Sequence, residues 1–283
     1  MSLSNSIFSP AKINLFLKVD KKRSDGFHNI ESRFQLINLF DEITIKKTDN
    51  KNISLKSNIR NKSFLNKNII LDACFKLQEA VGEDLGCEIT VIKNIPMGAG
   101  LGGGSSNAAS TLVSLNNLFK LNLSHIKLSQ LGAELGADIP FFINGKNANV
   151  SGFGEILSPC DSINSKILLI YPNINVSTKE MFDELQVQRK IQVDKKIYAK
   201  HNDFQDIFNK KFPVISDFFS QSEEEFNLEF TITGTGSSHF CFYKNELEIS
   251  EFVKKIPNNW RFFNVEPLQY SPINDNYWGV AKR

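Results

Sequence analysis

The stretch Pro96-Met-Gly-Ala-Gly-Leu-Gly-Gly-Gly-Ser-Ser-Asn-Ala-Ala109 decides how this chain is read. Five of the seven positions from Gly98 to Gly104 are glycine, so the backbone is nearly free of Cβ atoms and can adopt positive φ. Such a backbone can turn successive N–H groups inward as an anion nest. Upstream, residues 88–93 read as a strand. Downstream, residues 107–119 carry Ala108, Leu112, Leu115 and Phe119 on one helical face, with Ser105 or Ser106 available as N-cap. Strand, glycine loop and helix start together make a phosphate cradle, because first-turn N–H groups and the positive end of the helix dipole also favour anions. A Gly-rich surface loop is the alternative, and it leaves the flanking strand and amphipathic helix without a reason.

Two better-known phosphate loops do not fit. Gly98, Gly100 and Gly103 satisfy G-x-G-x-x-G, but a dinucleotide site needs an acidic residue about 20 positions on to bind ribose. No Asp or Glu occurs from Ile89 to Ala133. A P-loop needs G-K-[ST], and the one Gly-Lys pair, Gly145-Lys146, is followed by Asn147. The H-R-D and D-F-G elements of protein kinases are missing as well.

The rest of the chain is ordinary globular material. Its 283 residues are 41% hydrophobic and 23% charged, enough for two domains, with a soft division near Ile156 separating residues 1–155 from 156–283. Net charge is +2, from 33 Lys+Arg against 31 Asp+Glu, too balanced for a nucleic-acid wrapper. The basic run at residues 195–200 (KKIYAK) reads as a solvated face. Cys74, Cys87, Cys160 and Cys241 lack C-x-x-C spacing, and the four histidines lack H-x-x-x-H spacing, so reduced, mostly buried thiols are expected rather than zinc. No apolar run approaches the roughly 18–20 residues of a membrane helix, and no signal-like segment precedes Pro10. A soluble cytoplasmic protein without membrane or nucleic-acid partners is expected.

In residues 11–19, Ile13, Leu15, Leu17 and Val19 alternate with Lys12, Asn14, Phe16 and Lys18, which predicts a strand with one buried face and puts Lys12 and Asn14 together on the other. Further strands are expected at residues 30–37, 42–47, 53–56, 149–153, 167–171, 230–233, 239–242 and 261–265. Helices are expected at 68–81 and 127–135, with charged helical stretches beyond residue 156.

Three blocks in order resemble the motifs of the small-molecule kinases grouped with galactokinase, homoserine kinase and mevalonate kinase. They are Ser9-Pro-Ala-Lys-Ile-Asn-Leu15, the glycine loop, and Thr233-Gly-Thr-Gly-Ser-Ser238. The triple glycine before Ser105-Ser106, Ser24-Asp-Gly-Phe-His28 and Leu135-Gly-Ala-Asp-Ile-Pro-Phe141 resemble the branch whose acceptor is a cytidine-diphosphate-linked sugar alcohol. The resemblance implies an α+β fold of two domains, a ribosomal-protein-like N-terminal half and a ferredoxin-like C-terminal half, with the active site in the cleft between them. It implies ATP as donor and Mg²⁺ as cofactor. ATP would then lie against Pro96, Met97, Gly98, Ala99, Gly100, Leu101, Gly102, Gly103, Gly104, Ser105 and Ser106. Asn14, Phe27, His28, Phe182 and Thr235 would bind the acceptor, Phe27 standing where related enzymes carry Tyr.

Phosphoryl transfer needs an in-line hydroxyl, charge neutralisation and often a base. Asp138, one carboxylate in the apolar segment before Ile139-Pro140-Phe141-Phe142, is the candidate base; with Pro140 two positions on, a helix N-cap is the competing role. Lys12 is its expected partner, offsetting charge on the acceptor oxygen. A carboxylate is a weak base toward an alcohol, so it would orient the hydroxyl and take the proton late. Phe27 and Phe182 would stack on a pyrimidine and His28 meet its polar edge, with core packing as the alternative for each. Ser105 or Ser106 could face Mg²⁺, while Glu134 reads as a helix-surface residue. A mevalonate- or homoserine-type acceptor and a non-catalytic nucleotide binder remain alternatives at this point.

Overall fold

The computed structural model describes residues 4–24, 26, 28–59, 68–189 and 202–274; Phe27 and the basic run at 195–200 lie outside the described residues. Two long strands dominate its first half. β1 (Ser4–Lys22) and β2 (His28–Lys47) pair antiparallel along nearly their whole length. The opposite edge of β2 is shared: residues 42–47 pair with β4 (Cys87–Ile92) and residues 32–34 with β5 (Ala148–Ser151). β3 (Ile53–Ser57) runs parallel to β4, and β6 (Ile156–Pro159) closes the far side on β5. The expected strands at 30–37 and 42–47 are therefore one strand. The interruption at Asn38 is absorbed by a register shift between Pro10 and Ala11, where Asn38 exchanges backbone and side-chain bonds with Glu266.

Four helices cover one face of this sheet. α1 (Ile69–Val81) is capped by Asn68, whose Oδ1 accepts the N–H of Ile70 at 2.9 Å. α2 (Gly103–Leu118), α3 (His125–Leu135) and α4 (Ile139–Asn144) follow. Ile70, Ala73, Leu77, Leu112, Leu115 and Phe141 meet Leu36, Ile43 and Ile89 of the sheet in one apolar cluster. α4 was signalled only by the candidate cap at Asp138 and by Pro140, because Ile139 to Ile143 are all buried and show no polar face to set a period.

The second sheet has the order β10-β7-β9-β8, antiparallel throughout, from β7 (Lys166–Tyr171), β8 (Thr231–Ile232), β9 (His239–Tyr243) and β10 (Arg261–Val265). α5 (Thr178–Arg189), α6 (Gln205–Lys211) and α7 (Pro213–Phe226) lie between β7 and β8, and α8 (Ser250–Lys255) lies between β9 and β10. That is a βαββαβ chain with its fourth strand beside its first, the ferredoxin-like arrangement expected. Ile156 opens β6, the outer strand of the first sheet, and after β10 the chain returns to that sheet: the N–H of Leu268 donates to Leu36 O at 2.8 Å and Ile273 enters its core. The two sheets are joined by a cluster in which Ala11, Ile13, Ile37 and Leu39 meet Ile167, Leu169, Tyr171, Phe240 and Val265. Ala99 and Leu101 of the glycine loop belong to that cluster. Among the described residues no helix is long and apolar enough to cross a membrane. Cys74, Cys87 and Cys241 are buried and Cys160 half-buried, all as free thiols; burial pushes the Cys241 thiol up to about 12.

One buried group makes the second half acid-sensitive. His239 stacks on Phe219 with ring centroids 3.8 Å apart, and its Nδ1 donates to Ser237 O at 3.0 Å, leaving Nε2 buried without a partner. Burial pushes its pKa down to about 3, only partly opposed by the Ser237 bond. The unfolded ring titrates near 6.5, so from about pH 6.5 down to about 3 the unfolded chain binds a proton that the folded one refuses. This contribution to stability is complete above about pH 6.5 and falls by up to about 1.4 kcal/mol per pH unit below it. Urea unfolding followed from about pH 7 to about pH 5 is expected to show that slope, and His239→Phe is expected to flatten it.

Candidate active site

The free edge of β1 organises the site. The N–H of Lys12 donates to Leu101 O at 3.0 Å, and the N–H of Asn14 donates to Thr233 Oγ1 at 2.9 Å. Thr233 Oγ1 in turn donates to Gly100 O at 3.2 Å, the N–H of Ser238 to Ala99 O at 3.3 Å, and the N–H of Val176 to Gly98 O at 3.2 Å. Four consecutive loop carbonyls, from Gly98 to Leu101, are thus held by protein donors. Gly98, Gly100 and Gly102 have φ of 62°, 76° and 68°, while Ala99 and Leu101 between them do not take positive φ. Positive φ at alternate positions is what a nest requires, in which successive N–H groups converge on one side. The two side chains it interleaves are 2% and 1% exposed and serve as apolar pegs in the inter-sheet core. Gly100 is obligatory for a further reason: a Cβ there would stand 2.0 Å from Thr233 O.

A cleft of about 840 Å³ opens over this nest. It is lined by Lys12, Asn14, His28, Asp138, Phe182 and Thr235, and by every loop residue from Pro96 to Ser105. The sequence reading of α2 needs one correction. The helix begins at Gly103 with Gly102 as N-cap, so Ser105 and Ser106 sit in its first turn and cap nothing. Ser105 faces the cleft. Ser106 does not line it: it is fully buried, and its Oγ lies 2.8 Å from Ser9 Oγ.

The single-faced reading of β1 is also corrected. From Ala11 to Asn14 every residue is buried, and a register shift between Asn14 and Leu17 breaks the alternation beyond. Ile13 enters the inter-sheet core, while Lys12 and Asn14 are enclosed on the cleft side. Lys12 Nζ donates to Asn14 Oδ1 at 2.6 Å, lies 4.3 Å from the centre of the Phe34 ring, and is 3.4 Å from Asp138 Oδ2. The side chains of Lys12 and Asp138 are 5% and 30% exposed, so the pair is desolvated on the lysine side and open to the cleft at the carboxylate. Asp138 does occupy the residue before α4, but in αR conformation (φ −81°, ψ −12°), and its side chain makes no cap bond. A capping carboxylate needs an extended backbone to fold over the first turn, and here it is turned to Lys12 instead.

In the same cleft, His28 Nδ1 donates to Asp20 O at 2.9 Å, which fixes the orientation of the ring. Phe182 lies 5.2 Å from the His28 ring and edge-on to Phe204 at 4.9 Å, so it packs against the core and still faces the cleft. Thr235 Oγ1 is 3.3 Å from Thr178 Oγ1. Glu134 is on the surface, 2.7 Å from Lys76, as expected. Among the described residues no group of three or more His, Cys, Asp or Glu could hold a metal by itself.

Sequence reasoning missed Lys93, Asn107, Asn68, Lys179 and Asp183, all of which line the cleft. Asn107 follows Ser105-Ser106 directly and carried a usable signal, since an Asn in the first turn of a helix that opens on a glycine loop can reach back. Lys93 carried none, because a lysine at a strand end is most often solvated.

Residues 68–146 match the family described as GHMP kinases N terminal domain. In Francisella tularensis subsp. tularensis (strain FSC 198), 4-diphosphocytidyl-2-C-methyl-D-erythritol kinase is 40% identical over 276 residues, covering 93% of this chain and 96% of that protein. The kinase of the same name from Ruthia magnifica subsp. Calyptogena magnifica is 36% identical and covers 99% of this chain and 100% of its own length. A crystal structure of 4-(cytidine 5'-diphospho)-2C-methyl-D-erythritol kinase superposes with a TM-score of 0.71 at 23% identity, covering 92% of this chain and 98% of the other, which establishes the shared fold. With relatives of that one name at 36% and 40% identity spanning nearly all of it, this chain belongs to the 4-diphosphocytidyl-2-C-methyl-D-erythritol kinase family.

Proposed function

We propose that this chain transfers the γ-phosphate of ATP to the 2-hydroxyl of 4-diphosphocytidyl-2-C-methyl-D-erythritol, the acceptor named in its relatives, in the supply of isoprenoid precursors. One observation carries the reading of the chemistry: the Lys12–Asp138 pair, at 3.4 Å, opens into the same cleft as a nest of backbone N–H groups. The nest and the N-terminus of α2 would take the β- and γ-phosphates, leaving the γ-phosphorus facing the pair. The acceptor hydroxyl would approach between Lys12 Nζ and Asp138 Oδ2. Asp138 orients it and takes its proton as the P–O bond forms, and Lys12 offsets charge on the oxygen. The bond from γ-phosphorus to the bridging oxygen breaks, and ADP leaves.

The acceptor's cytosine would lie at the His28–Phe182 end. Phe182 offers a ring face, and the His28 imidazole, oriented by its bond to Asp20 O, would meet the polar edge of cytosine. Asn14 and Thr235, in the same cleft, would meet the sugar-alcohol portion. Phe27 is assigned to the same stacking site on the resemblance alone.

Mg²⁺ fits this site as an ion carried chiefly by the nucleotide. Mg²⁺ commonly binds through substrate phosphates, waters and one or two protein oxygens, and Ser105 at the start of α2 supplies such an oxygen in the cleft. Bound there, it would neutralise charge on the transferring phosphate.

Four single variants and one double variant test the assignment by steady-state kinetics. Gly104 lines the cleft and a Cβ there would meet only Ile69, at 3.9 Å, so Gly104→Val fits the folded chain and intrudes on the nest. ATP KM is expected to rise by at least about tenfold with the melting temperature held, since one lost phosphate contact is worth about that much. Asp138→Asn is expected to lower kcat by about 10²–10⁴-fold with ATP KM little changed, the range a general base supplies. Lys12→Met should lower kcat too, and the double variant less than the product of the single losses, as for residues acting on one proton transfer. Near-parental turnover in Asp138→Asn would remove the base assignment. His28→Ala is expected to raise acceptor KM and leave ATP KM alone; parental values for both would return His28 to core packing.

A further inference from the structure

Asp41 lies outside the cleft and is wholly buried, yet it collects four donors from both stems of the glycine loop. Its Oδ1 accepts the N–H groups of Asn94 at 2.8 Å and Ile95 at 2.9 Å, the last two residues before Pro96. Its Oδ2 takes the ammonium of Lys93 and, at 2.9 Å, Nδ2 of Asn107 on α2. Lys93 Nζ also donates to Asn107 Oδ1 at 2.8 Å, closing a triangle of carboxylate, ammonium and amide. The same Asn107 Nδ2 lies 3.1 Å from Ser9 Oγ, and Ser9 Oγ is 2.8 Å from Ser106 Oγ. Ser9 and Asp41 are register partners across β1 and β2, so the whole network hangs on the rigid hairpin.

A buried carboxylate is costly unless paired and fully bonded, and a neutral acceptor would satisfy the two backbone donors alone. What the charge adds is the tie across the loop, from the end of β4 to the first turn of α2. Lys93 stands at that crossing: a Cβ on Gly103 would lie 3.5 Å from its Nζ.

We propose that Asp41 is a positioning residue for the donor nucleotide, fixing the separation between the entry of the glycine loop and the start of α2 so that the nest is already spaced for phosphates when ATP arrives. The proposal rests on the reading of the cleft as an ATP site. Preorganised donors cost no ordering on binding, so loosening the tie weakens ATP and leaves the acceptor end untouched. A carboxylate that served only folding would lower stability and leave the ATP KM of the folded fraction where it was.

Asp41→Asn keeps the shape and turns an amide donor toward Lys93 and Asn107. ATP KM is expected to rise about tenfold or more, with acceptor KM and kcat per folded molecule within about twofold of the parent. Ser9→Ala removes one hydroxyl remote from the cleft, is expected to fold as the parent does, and should raise ATP KM about threefold; it decides the matter where Asp41→Asn fails to fold. Parental ATP KM in the folded variants, or equal rises in both substrates' KM, overturns the role of Asp41. Saturation of the parent by ATP in the same series keeps the reading of the cleft standing in that event. A parent that ATP does not saturate sinks both.

Discussion

The site depends on a set of hydrogen bonds that contain no functional group of the chemistry: the capture of four successive carbonyls, Gly98 to Leu101, by donors from β1, from the Thr233–Ser238 turn and from Val176. A peptide unit whose C=O is fixed outward has its N–H fixed inward. The nest is therefore imposed by the protein behind the loop, and the glycines only permit it. The donors come from three segments spread between Lys12 and Ser238, so the loop can take this shape only when both sheets are in place.

The same constraint explains the composition of the loop. Its non-glycine members, Ala99 and Leu101, are pegs driven into the apolar cluster that joins β1 and β2 to β7, β9 and β10. Burying them contributes hydrophobic free energy to docking the sheets, and that docking closes the cleft. Stability of the inter-sheet contact and the shape of the glycine loop are thus one property. Gly100 sits at the closest approach, against Thr233 O and Gly234, where no side chain can enter.

The electrostatics divide the site into two buried lysines with different surroundings. Lys12 is held by Asn14 and the Phe34 ring, and it faces a carboxylate that remains 30% exposed to the cleft. Lys93 is paired with a fully buried carboxylate and an amide. The first arrangement leaves a carboxylate able to meet a third molecule; the second satisfies its charge inside the protein and suits a strut. Exposure of the acid partner, more than proximity of the pair, separates the two pairs.

Much of this was legible in residue order. The glycine run between a strand and an amphipathic helix pointed to an anion cradle, the absent acidic residue and absent Gly-Lys-Ser/Thr excluded the two common alternatives, and the motifs singled out Lys12, Asp138 and His28, which all line the one cleft. Local chemistry sufficed there, because backbone freedom and helix polarity act within a few residues. Tertiary structure decided the rest. Whether Asp138 capped α4 or faced Lys12 turned on a ψ of −12° that no propensity specifies. Ser105 and Ser106, indistinguishable in sequence, were sent to the cleft and to the core by one step of helical rotation. Lys93 and Asp41, 52 positions apart, met only because β4 pairs with β2, and the value of a buried charge lies wholly in the partner that pairing brings to it.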